Sequence, residues 1–141
     1  MTTNIWKKEA SVLALKAHRK DTLVEHLEIQ ITEMGDNYIT ASMPVDSRTH
    51  QPMGILHGGA SIALAETVGS IAANLAVDEN HYCVGLEVNG NHLKPVSGGS
   101  VFATASAVHL GRSTQVWDIR IKDEAGNNVC ISRLTMAVLS K

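Results

Sequence analysis

Apolar and polar positions follow two rhythms along this chain. From Leu27 to Glu33 the residues Leu27, Ile29 and Ile31 alternate with Glu28, Gln30 and Thr32, the period of a half-buried strand. Gly35-Asp36-Asn37 predicts a turn, and Tyr38 to Val45 a returning strand. Upstream, Val12, Leu13, Leu15 and Ala17 beside Lys16, Arg19 and Lys20 predict a short amphipathic helix, with one more helical turn over Thr22 to Leu27. Asp46 to Leu56 reads as a loop, punctuated by Pro52 and Gly54 after Pro44. Gly58 to about Val77 then runs apolar on nearly every side, without proline. Some twenty residues at about 1.5 Å each make a helix roughly 30 Å long. Such a helix must be wrapped.

The remaining chain supplies the wrapping. Tyr82 to Leu93, Ser100 to Leu110, Ser113 to Asp123 and Asn128 to Leu139 read as strands. Turns at Ser97-Gly98-Gly99, Gly111-Arg112 and Ala125-Gly126-Asn127 predict that these four form a meander. In the third of them Trp117, Ile119 and Ile121 share one face, while Asp118, Arg120 and Lys122 share the other. The order β-β-α-β-β-β-β predicts an α+β fold, an antiparallel sheet wrapped around a long central helix, as a single domain over residues 1–141.

Composition narrows the function. With 12 Lys and Arg against 14 Asp and Glu, the formal charge of -2 gives no field for nucleic acid or an acidic membrane. Cys83 and Cys130 lack zinc-type spacing and read as reduced, buried thiols. The N-terminus has no apolar signal-peptide block. Ser61, Glu66, Thr67, Ser70 and Asn74 interrupt the long apolar stretch, which excludes a membrane span. A cytoplasmic protein is expected. No His, Asp and Cys grouping has ligand spacing, so neither a metal nor a cofactor is expected.

The long helix carries one carboxylate, Glu66. Residues four apart share a helix face, so Glu66, Ser70 and Asn74 form a polar stripe on an apolar rod. Either Glu66 pairs with a neighbouring strand, or it lines a cavity where it works. The helix start favours the second reading. Gly58 and Gly59 leave the first backbone N–H groups open to a ligand, at the positive end of the helix dipole. That is the makings of an oxyanion site. Gln51 and His57 add polar side chains to the same loop. Glu66, however, lies eight residues beyond Gly58, roughly 12 Å along the axis. Two antiparallel copies across a two-fold would close that gap, so the site is expected at a homodimer interface.

The run DSRTHQPMGILHGGASIALAETVGS resembles the signature of hotdog-fold acyl-CoA thioesterases of the phenylacetate type. The likeness extends from Trp6-Lys7-Lys8 through VGLEVNGNHLKPV and HLGRSTQVWDIRIKDE to SRLTMAVLS. Within the family it is nearest to the branch acting in enterobactin proofreading and on 1,4-dihydroxy-2-naphthoyl-CoA. The resemblance implies that Glu66 is nucleophile or general base and that the Gly58 N–H polarises the thioester carbonyl. Gln51 and His57 would position substrate and loop, and Ser70 would hold the hydrolytic water or the carboxylate. His92 in NGNHLKP matches a family position that touches the substrate. Lys94 and the Gly111-Arg112 turn read either as contacts for the phosphates of CoA or as solvated strand-end charges, and Gly85 and His109 complete the candidate substrate- and CoA-binding set. Coenzyme A would enter only as part of the substrate. A homotetramer built as a dimer of dimers is expected, with an acyl-carrier protein as an alternative thioester donor. Met53 and Leu93 depart from some relatives on the acyl side; an aryl-CoA, benzoyl-type or hydroxynaphthoyl, is expected over a long fatty acyl-CoA. Two other readings of the same roll are a dehydratase or isomerase, which would need an acid–base partner beside Glu66, and a non-catalytic acyl-CoA-binding module.

Overall fold

The computed structural model describes residues 4–15 and 20–141. Two helical turns, α1 (Val12–Leu15) and α2 (Leu23–His26), precede β1 (Gln30–Met34) and β2 (Tyr38–Pro44). The central helix α3 spans Gly58–Leu75, followed by β3 (His81–His92), β4 (Ser100–Leu110), β5 (Thr114–Lys122) and β6 (Asn128–Ser140). Of the predicted N-terminal helix, Lys16, Ala17 and Arg19 lie outside the described residues, as does His18. Leu27, predicted to open the first strand, instead closes α2 as its C-cap.

The six strands form one antiparallel sheet in the order β1-β2-β4-β5-β6-β3. The predicted meander therefore holds only for β4, β5 and β6. Ser97-Gly98-Gly99 is not a hairpin: β3 crosses to the far edge and pairs with β6, His81 opposite Ser140 and His92 opposite Cys130. The reason is the helix. A sheet curling around α3 needs a strand along each flank, and β2 and β3 lie on opposite sides of the rod, with β4, β5 and β6 between them.

His57 starts α3 from an extended conformation, its ring Nδ1 accepting the Gly59 N–H at 2.8 Å. Leu64, Ala65, Val68, Gly69, Ala72 and Ala73 bury the helix against Ile39, Met43, Ile119, Leu134 and Met136 of the sheet. Small residues let it sit close: a Cβ on Gly69 would stand 2.6 Å from Leu134 Cδ2. The alternation read in β5 is the observed one, with Trp117, Ile119 and Ile121 fully buried. Trp6 stacks on Trp117 with centroids 6.3 Å apart, and its Nε1–H donates to the Gly35 carbonyl at 2.7 Å. Both cysteines are buried and free, and burial pushes both thiols up.

Along the outer flank β3 runs antiparallel to α3. Asn74 clamps the two, its Oδ1 accepting the Cys83 N–H at 2.8 Å and its Nδ2 donating to the Cys83 carbonyl at 3.3 Å. The third member of the predicted polar stripe is thus a structural tie. Further along, glycines permit close approach. A Cβ on Gly85 would lie 2.7 Å from Glu66 Oε2, and one on Gly90 2.5 Å from Ile62 Cδ1. Gly85 also sits at a bulge in the β3–β6 register.

Candidate active site

The N-terminal end of α3 is built by the loop before it. The Thr49 hydroxyl donates to the Pro44 carbonyl at 2.9 Å, and the Thr49 carbonyl accepts the His57 N–H at 2.8 Å. The Leu56 N–H donates to the Val96 carbonyl at 2.7 Å, pinning the loop to the segment after β3. These bonds bring Gln51, Gly58, His92 and Lys94 together around a pocket of about 480 Å³. Gly58 faces the His92 ring, since a Cβ there would be 2.8 Å from Nε2. With Gly59 capped by His57, the Gly58 N–H donates to no group among the described residues. His57 thereby positions the helix start. Gln51 Oε1 accepts the Met53 N–H, which folds the loop tip back on itself.

The carboxylate end is a different cavity, of about 530 Å³, between α3 and the α1–α2–β1 layer. Glu66, Thr67 and Ser70 supply polar groups; Leu15, Leu23, Val24, Ile29 and Ile71 make the rest largely apolar. The Thr67 hydroxyl is taken up by the Ala63 carbonyl at 2.7 Å. Glu66 is exposed and makes no ion pair among the described residues, its carboxylate lying against Gly85. A carboxylate with no ion pair among the described residues, set over a largely apolar cavity, is a group available for chemistry.

The structure thus sorts the sequence-predicted residues into two clusters. Gln51, Gly58, His92 and Lys94 share one, and Glu66, Ser70 and Gly85 share the other. Within one chain they stay apart, as the eight-residue helical spacing requires. Gly111 and Arg112 lie elsewhere, beside Trp6, Lys7 and His81 at the C-terminal end of α3. His109 is exposed on β4, against Gly111. His26 is exposed, whereas His81 bonds Asp78 at 2.7 Å and His50 bonds the Ser97 carbonyl at 3.0 Å. Met53 is 79% exposed, and Leu93 lines the Gly58 pocket rather than the Glu66 cavity.

Lys94 has a partner the sequence did not offer: its Nζ donates to Asp123 in the β5–β6 turn. That bond, with the Asn127 N–H second, holds the Asp123 carboxyl well below the usual carboxylate range. A lowered carboxylate stabilises the fold above its unfolded value near about pH 4 and loses that contribution as pH falls toward the folded value. Asp123→Asn should therefore melt a constant interval below the wild type between about pH 5 and 8. That interval should close in acid; an unchanged interval down to about pH 2 would contradict the pairing.

Comparison with known proteins decides the family. The Thioesterase superfamily profile matches residues 53–130, more than half of the chain. The chain belongs to the thioesterase superfamily. Its sheet wrapped on one helix is the hotdog fold, and its activity class is thioester hydrolysis. A crystal structure of a thioesterase from Haemophilus influenzae matches this thioesterase with a TM-score of 0.95 at 47% identity, over 96% of this chain and 95% of that one. A mutant thioesterase from Pseudomonas aeruginosa matches with a TM-score of 0.95 at 51% identity, over 97% of this chain and 99% of that one. The proofreading thioesterase EntH of Cronobacter turicensis is 50% identical over 135 residues, 96% of this thioesterase and 98% of that protein. No helix among the described residues is long and apolar enough to cross a membrane.

Proposed function

We propose that this thioesterase hydrolyses aryl-CoA thioesters, of the benzoyl or 1,4-dihydroxy-2-naphthoyl kind, to the free acid and coenzyme A. The observation that carries this reading is the Glu66 carboxylate, which makes no ion pair among the described residues, at a cavity of about 530 Å³ lined largely by Leu, Val and Ile side chains. Such a cavity accepts an acyl group of moderate length and leaves its carbonyl at the carboxylate.

The catalytic unit is a homodimer. Among the described residues the outer edge of β3 bears no neighbouring strand, and it exposes Val84 and Leu86, the latter 62% exposed. Antiparallel pairing with a second β3, about a dyad near Val88 and Asn89, sets Gly85 of one protomer close to His92 of the other. Because Glu66 lies at Gly85 and Gly58 at His92, the same dyad joins the two half-sites.

In that assembly the thioester carbonyl oxygen accepts the partner's Gly58 N–H, at the positive end of the partner's α3. Glu66 either attacks the carbonyl carbon or takes a proton from a water that does so. Ser70 holds that water or the carboxylate. Collapse of the tetrahedral intermediate breaks the C–S bond, and the thiolate leaves as CoA and gains a proton. When Glu66 is the nucleophile, water then cleaves the acyl-enzyme anhydride. Gln51 orders the loop over the carbonyl, and His92 and Gly85 frame the passage between half-sites. Lys94, His109, Gly111 and Arg112 are assigned to the CoA moiety, whose phosphates suit cationic side chains. The reaction needs no metal or further cofactor. Dimers pair into a tetramer, and the protein works in the cytoplasm. An acyl-carrier-protein thioester is the second substrate reading, favoured by relatives named as proofreading thioesterases.

Thiol release from matched CoA esters tests the assignment. Benzoyl- and naphthoyl-type esters should exceed palmitoyl-CoA in kcat/KM by at least about tenfold. A preference for the long chain would contradict it, and faster release from a carrier protein than from CoA would move the assignment to the second reading.

A further inference from the structure

We propose that the helical turn α2 is the wall that sizes the acyl group, with Leu23 and Val24 as specificity-determining residues. This rests on the reading of the Glu66 cavity as the acyl site. The cavity follows α3 from Ala63 to Ile71, roughly 12 Å of helix. Its floor is α3 and its side β1, both fixed by the core. Opposite them stand α2, through Leu23 and Val24, and Leu15 of α1.

How α2 is held there argues that the placement has a use. The turn is bracketed by Asp21 and Glu28, non-glycine residues in the left-handed region at φ 61 and 55. Such residues cost conformational energy and persist where surrounding structure fixes them. Thr22 Oγ1 accepts the Glu25 N–H at 3.3 Å, the Ile29 N–H donates to the Val24 carbonyl at 3.0 Å, and buried Leu27 anchors the turn in the core. Glu28 also pairs with Arg48 at 3.7 Å across the surface. So fastened, Leu23 remains 62% exposed, at the rim of the cavity. A leucine fixed at an apolar rim gains burial only when something apolar fills the space beside it. An acyl ring entering beneath α2 supplies that surface, and a larger side chain at 23 or 24 takes its place.

The readout is the ratio of kcat/KM for a two-ring ester, naphthoyl-CoA, to that for a one-ring ester, benzoyl-CoA. Leu23→Phe and Val24→Phe should lower this ratio at least about tenfold, and Val24→Ala should raise it about threefold. Opposite movement by larger and smaller side chains distinguishes a sizing wall from a structural support, whose loss lowers both esters together. Leu23→Phe sits on an exposed rim, so it carries the test even if Val24→Phe fails to fold. A ratio unmoved by the variants, or both esters falling in parallel, would overturn the role of α2 while leaving the thioesterase reading intact. A wild type that cleaves neither ester while cleaving others would instead overturn the acyl-site reading, and this inference with it.

Discussion

Glu66→Gln is expected to lower kcat by about three orders of magnitude and to leave KM within a few-fold of the wild type. Glutamine fills the same volume against Gly85 and still hydrogen-bonds through its amide, so the cavity that receives the acyl group is preserved. What the amide cannot do is attack a carbonyl carbon or accept a proton from water, and both hydrolytic routes need one of these. Stability should hardly change, because Glu66 is exposed and makes no ion pair among the described residues. Thiol-release kinetics give kcat, and calorimetric titration with a non-hydrolysable thioether analogue gives binding. Wild-type turnover in this variant would remove Glu66 from the mechanism.

Gly58→Pro is expected to lower kcat about 10²- to 10³-fold, the usual loss when one oxyanion donor is removed. The position tolerates the change better than most. Gly58 is the first residue of α3, where proline's fixed φ suits a helix start and the N–H has no helical partner. His57 before it is already extended, at φ -67 and ψ 130, as a residue preceding proline must be. Any β-carbon at 58 crowds the His92 ring, so Gly58→Ala is the control. Alanine brings the same crowding and keeps the N–H. A large loss with proline and a small one with alanine assigns the effect to the amide. Equal losses would assign it to the displaced histidine.

Much of the fold was legible because its signals are local. The alternation in β5 and the all-round apolar character of α3 each follow from the residues' own periodicity, and both appear as read. The place of β3 was not legible. Ser97-Gly98-Gly99 looks like any hairpin turn, and only the need to flank α3 on two sides sends β3 to the far edge. The site divides in the same way. Glu66 stood out as one carboxylate on an apolar rod, and Gly58 as a glycine at a helix start. Asn74 shares their stripe by spacing, but its bonds to Cys83 depend on a strand that sequence could not place. The Lys94–Asp123 pair and the cavity wall at Leu23 and Val24 likewise arise between segments far apart in the chain. Such juxtapositions leave no periodic trace.

The decisive measurement is complementation between two inactive variants. Mix Glu66→Gln with Gly58→Pro protein, allow protomers to exchange, and assay thiol release. If each site joins Glu66 of one protomer to Gly58 of its partner, a mixed dimer holds one doubly damaged site and one wholly intact site. An equal mixture should then regain about a quarter of wild-type activity. A mixture that stays as inactive as its parents, after exchange has been verified, would show that both groups act within one chain, and the shared-site account would be wrong.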